Sequence, residues 1–114
     1  MVLPKSTLAA QLRKGVLEYC VLSLLRHGES YGFDMVRALG DVDGLVTSEG
    51  TLYPLLSRLR KDGLVKTSVR DSRAGPPRRY YRITPAGKAA LDSFIPEWKR
   101  FVSSVNDLLE KGQP

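Results

Sequence analysis

Half of the chain's 18 lysines and arginines fall between residues 58 and 82: Arg58, Arg60, Lys61, Lys66, Arg70, Arg73, Arg78, Arg79 and Arg82. Only Asp62 and Asp71 oppose them, so this window carries +7 of a total of +6 and the other 89 residues carry −1. Charge gathered into one quarter of a small chain is the electrostatic footprint of a polyanion binder. The plainer reading is a solvated basic face with no partner, so the surroundings must decide. Just ahead of the window stand Ser48, Gly50, Thr51 and Tyr53. Small polar groups beside a phenol can enter a DNA groove and hydrogen-bond to phosphates or base edges.

Other chemistry finds little support. There is no phosphate-binding glycine loop and no Gly-x-Ser-x-Gly turn, and the single histidine has no evident nucleophile. The twelve acids are scattered, with no pair spaced for general acid–base work, so no enzyme is expected. Cys20 and His27 lie seven apart, and with no other Cys or His they make no metal site, so no cofactor is expected. A lone cysteine excludes an intramolecular disulfide and fits a reducing cytoplasm. No signal peptide is expected from Met1–Lys14, and no membrane span, since no stretch approaches ~18 uninterrupted apolar residues. At 114 residues and 42% apolar, the chain suits one modest core that is marginal as a lone monomer.

The elements that must position these groups follow from periodicity. Leu52, Leu55, Leu56 and Leu59 form one apolar stripe, which predicts a helix from Thr47 or Ser48 to Gly63. Thr51, Tyr53, Arg58 and Lys61 then take the opposite face. Pro54 would strike the carbonyl of Gly50, and glycine there lets the first turn adjust. Upstream, a helix is predicted from Ser6 to His27 with Gly15 inside it, explained by a close helix–helix approach. A second follows over Tyr31–Leu39, capped by Ser30, with Phe33, Val36 and Leu39 facing the core. Tyr31 and Gly32 at its start offer free N–H groups to a DNA phosphate. Two short helices joined by the turn Asp41–Leu45 make a helix-turn-helix.

Leu64–Arg70, a loop over Asp71–Pro77 and Arg78–Thr84 read as a β-hairpin with a basic tip, Tyr81 and Ile83 packing inward. Arg73, Arg78 and Arg79 on this wing can reach phosphates or a minor groove. Thr84-Pro85 starts a last helix. On it Leu91, Phe94, Ile95, Trp98, Phe101, Val102, Val105 and Leu108 fall in a heptad-like stripe, most simply buried against a second copy. Pro96 is expected to kink or split this helix near Ile95.

The run Gly50-Thr-Leu-Tyr-Pro-Leu-Leu56, with Arg58, Leu59 and Gly63, resembles the recognition helix of PadR-family transcriptional regulators. Tyr31-Gly32 upstream and Arg79-Tyr-Tyr-Arg-Ile-Thr84 with Gly87 downstream match as well, so the resemblance covers about Leu12 to Trp98. It implies a mainly α fold with a small β-hairpin: a winged helix-turn-helix over residues 1–84 and a C-terminal dimerisation helix over 85–114. The implied function is a dimeric, sequence-specific, cytoplasmic DNA-binding repressor released by a small-molecule effector. Its partners would be a pseudo-palindromic double-stranded operator and a second copy. In multidrug-sensing members of that family a tryptophan on the last helix stacks planar drugs between subunits. Trp98, with Phe94, is thereby implied as the seat of an aromatic or hydrophobic effector, while the heptad alone reads as core. A winged-helix module that binds protein and not DNA shares the same fold and remains the competing expectation.

Overall fold

The computed structural model describes residues 12–42, 45 and 48–112. The expected arm Met1–Lys5, the helix start over Ser6–Gln11, the Thr47 cap and part of the Asp41–Leu45 turn lie outside these residues. The order is α1 (Leu17–Arg26), β1 (Ser30–Tyr31), α2 (Gly32–Gly40), α3 (Glu49–Lys61), β2 (Val65–Arg70), β3 (Arg78–Ile83) and α4 (Pro85–Lys111). The fold is the expected winged helix-turn-helix: four helices and a small antiparallel sheet among the described residues. The core gathers Val21, Leu22 and Leu25 of α1, Met35 and Leu39 of α2, and the α3 leucines 52, 55, 56 and 59. Val65, Tyr81 and Leu91 complete it from the hairpin and α4. Burying one leucine fully contributes about 1.5–3 kcal/mol, so the α3 stripe is a main anchor of the fold.

Three local expectations are corrected and a fourth is narrowed. Gly15 does not sit inside a helix: Lys14–Val16 form a turn, with Gly15 at φ 82°, and α1 begins at Leu17. No atom lies within 4 Å of a Cβ placed there, so the left-handed backbone and not a close neighbour calls for glycine. Ser30 is no helix cap, because Ser30 and Tyr31 pair with Tyr81 and Tyr80 as a third strand. Tyr31 is therefore the N-cap residue, and α2 starts at Gly32. That start turns Met35 into the core and leaves Phe33 44% exposed. Of the two alternatives at Pro96, a split is excluded, because α4 runs as one helix of 27 residues with Pro96 inside it.

The hairpin agrees with expectation. Val65 pairs with Ile83, Thr67 with Tyr81 and Arg70 with Arg78, giving the sheet order β1-β3-β2. Tyr81 is buried, and Ile83 packs against the core. Thr84 caps α4 as its sequence suggests, its Oγ1 accepting from Gly87 N at 3.0 Å. The same hydroxyl donates to the carbonyl of Gly63 at 2.7 Å, tying the end of α3 to the start of α4. Gly87 is buried against the chain turning out of α3. A Cβ there would collide with the Leu64 carbonyl oxygen and lie 2.7 Å from Ile83 Cγ1.

Candidate nucleic-acid interface

The leucine stripe turns one side of α3 inward and so fixes which side is free. Gly50, Thr51, Tyr53 and Arg58 are all exposed, with Ser48 at the N-cap. Ser48 Oγ and Thr51 Oγ1 lie 3.4 Å apart at the tip. Pro54 stays inside a continuous helix. Tyr53 is 37% exposed and rests on α2: a Cβ on Gly32 would lie 2.8 Å from its Cε1 and 2.9 Å from its hydroxyl oxygen. Partial burial, then the nearby Glu49 carboxylate, raise the Tyr53 pKa, so the hydroxyl keeps its proton at neutral pH and can donate. Gly32 itself is buried and Tyr31 half-buried. Tyr53 thus covers the first residue of α2.

The wing carries the other expected group. Arg78 and Arg79 are adjacent on β3 and so project from opposite faces of the sheet. The Arg78 guanidinium carbon stands 4.9 Å from the Tyr31 ring centroid, while Arg79 Nη1 donates to Thr67 Oγ1 at 3.1 Å. Arg70, which the sequence reading left out of the site, lies 4.5 Å from the Tyr80 ring centroid and pairs with Glu29. Tyr31 and Tyr80 are tilted neighbours at 6.0 Å, so a small aromatic bed seats two arginines. Cation–π contact of about 0.5–1 kcal/mol at such exposed sites narrows the rotamers of long side chains without neutralising them. Arg73 is exposed in the loop, at the hollow bounded by Asp71, Arg78 and Tyr80. Arg58 is paired with Glu18, which accepts from its Nη2 at 3.3 Å, while its side chain stays exposed. Both pairings join residues about forty positions apart, where no local pattern announces them.

The C-terminal helix divides in two. Leu91 lies in the chain's own core, and Phe94 and Ile95 pack on it. Beyond them Trp98, Phe101, Val105 and Leu108 are exposed, Phe101 at 63%, with Val102 half-buried. The rings form a ladder. Tyr19 of α1 stacks on Phe94 at 3.9 Å and 5°, Phe94 on Trp98 at 5.9 Å and 18°, and Trp98 meets Phe101 at 6.4 Å. Tyr19 was missed, since its partner stands 75 residues away. The surface beside Trp98 is bounded by α4 alone and forms no enclosed cavity.

A helix-turn-helix with a basic, arginine-bearing wing defines a winged-helix DNA-binding regulator. Residues 21–93 match the transcriptional regulator PadR-like family, and the chain belongs to that family. A PadR-family regulator of Eggerthella lenta is 37% identical in its solved structure, with a TM-score of 0.81 over 92% of this chain and 91% of its own. A PadR-like transcription factor of Bacteroides fragilis is 39% identical, with a TM-score of 0.74 over 90% and 98%. The negative transcriptional regulator PadR of Bacillus subtilis is 27% identical over 96 residues, 81% of this chain and 52% of that protein. These relatives are regulators of transcription, not enzymes. Among the described residues no helix is long and apolar enough to cross a membrane.

Proposed function

We propose that this PadR-family regulator acts in the cytoplasm as a homodimeric, sequence-specific repressor. The observation that carries the reading is the shared setting of two features: the free face of α3 with Ser48, Gly50, Thr51 and Tyr53, and a wing bearing Arg73, Arg78 and Arg79. The tip of α3 reads base edges in the major groove, while Tyr31 at the start of α2 meets the backbone; Gly32, buried beneath Tyr53, supports that ring and does not itself touch DNA. Arg58 and the wing supply sequence-independent affinity. Residues 85–114 hold the second copy through Phe94, Ile95, Trp98, Phe101, Val102, Val105 and Leu108, with Leu91 anchoring the helix to its own core. The operator is then a pseudo-palindrome with half-sites about one helical turn (~10 bp) or a multiple apart. The Bacillus subtilis relative, a negative regulator by name, supports repression. The ring ladder supports an aromatic or hydrophobic effector at Trp98 and Phe94, between the two copies.

The test is fluorescence anisotropy of a labelled duplex from the gene's own upstream region against a scrambled duplex, titrated at several salt concentrations. Tight binding to the first with weak, salt-sensitive binding to the second is the expected result. Absence of binding to either at low salt refutes the DNA reading.

A further inference from the structure

Against the flank of α3 facing α1 lies an open groove of about 320 Å³. The Gly15 turn folds the backbone so that Arg13 and Lys14, whose pattern resembles no motif, reach the edge of α3 beside Thr51 and Arg58. Leu17 and Leu55, both largely buried, line it as well. Three bases face it against one acid, Glu18, which is paired with Arg58 at 3.3 Å. Arg13 and Lys14 make no ion pair among the described residues. They also stand outside the basic window of the hairpin, so their charge adds a second positive region and not an extension of the first.

The geometry points to this groove as a second phosphate-binding flank of the interface, Arg13 and Lys14 clasping the DNA backbone on the α1 side of α3. The occupant is a phosphodiester, chosen by charge complementarity and by Thr51, a hydroxyl donor in the same groove as the two free bases. The apolar lining suits the deoxyribose face beside that phosphate. Glu18 has two opposing effects: it holds Arg58 in place, and it repels the incoming phosphate. This inference rests on the DNA-binding reading above and adds residues to it.

The experiment titrates a labelled random-sequence duplex at several salt concentrations with the intact protein, Arg13→Ala/Lys14→Ala, Glu18→Gln and, as comparison, Arg78→Ala/Arg79→Ala. Each phosphate contact contributes about −0.9 to the slope of log K against log[salt], so loss of two flattens the slope by about 1.8 and costs about thirty-fold at roughly 0.15 M salt. Arg13→Ala/Lys14→Ala is expected to show that loss with an unchanged thermal melt. Should the alanine pair melt early, Arg13→Gln/Lys14→Gln replaces it. Glu18→Gln is expected to bind more tightly, a direction that damage to the fold does not produce. Unchanged affinity and slope in the Arg13/Lys14 variant, beside weakened binding in the wing variant, overturn the flank and leave the DNA reading standing. Failure of the intact protein to bind at low salt brings down both.

Discussion

Gly32→Ala separates stability from recognition at one position. Gly32 opens α2 with a helical backbone of ordinary sign, so alanine meets no conformational barrier and gains up to about 1 kcal/mol of helix propensity. The nearest atoms to the added methyl all belong to the Tyr53 side chain, its Cε1 at 2.8 Å and its hydroxyl oxygen at 2.9 Å, against a comfortable separation of about 3.5–4 Å. The ring must therefore withdraw by about 1 Å. Leaving its preferred rotamer costs about 0.5–1.5 kcal/mol, which the propensity gain roughly offsets. Melting is then expected within about 5 °C of the parent, since 1 kcal/mol moves a domain of this size by about 4–8 °C. Recognition has no such offset. If Tyr53 makes one specific contact worth about 1–3 kcal/mol, its displacement lowers operator affinity by about 5- to 150-fold and leaves random-sequence affinity nearly unchanged. Anisotropy on operator and random duplexes reads both numbers, and calorimetry reads the melt. In a Tyr53→Ala background the glycine substitution should cost nothing further. An unchanged operator affinity in the folded variant refutes the role given to Tyr53. A melt lowered by 10 °C or so refutes the view that its ring gives way cheaply.

Gly87→Ala makes the opposite case, because its methyl meets the backbone oxygen of Leu64 and not a side chain that can swing aside. It should destabilise by about 3 kcal/mol or more, read by urea melts, and full stability would show that the junction yields. Arg78→Ala/Arg79→Ala should bind all duplexes more weakly, by about thirty-fold near 0.15 M salt, with a flatter salt slope. An unaltered slope would remove the wing from the interface. Phe101→Glu places a charge on the exposed end of α4, and sizing with light scattering should find a folded monomer. A variant that stays dimeric would move the contact between copies elsewhere.

The anchor of the site was legible because its pattern is local. Four leucines at helical spacing fix which side of α3 is free, and Thr84-Pro85 carries its own cap, so both stand where the sequence puts them. What was not legible depends on distant partners. Two residues, Ser30 and Tyr31, carry no periodicity, and they become a strand only because β3 offers a free edge fifty positions later. The inward face of α2 centres on Gly32, Met35 and Leu39, so Met35 is buried where Phe33 was expected, while Leu39 stays in the core. Gly15 reads as a helix residue that admits a close neighbouring helix until its backbone sign is known. The bases were visible by count, whereas the carboxylates that occupy Arg58 and Arg70 come from Glu18 and Glu29 and follow from tertiary packing alone.

The Thr84 hydroxyl sits where two directions in the molecule are fixed against each other. By touching Gly63 at the end of α3 and Gly87 at the start of α4, it makes the angle between those helices a property of one buried joint. From that joint α4 extends about 40 Å, so a few degrees at Thr84 become several ångströms at its far end. A pair of chains gripping one another along α4 would have the gap between their two α3 tips set by this lever. In such a dimer, operator spacing would be encoded in the joint and the helix behind it, and the letters of each half-site in α3. The two would then change independently: a substitution at Thr84 that shifts the joint without unfolding it would retune the ruler and leave the alphabet as it was.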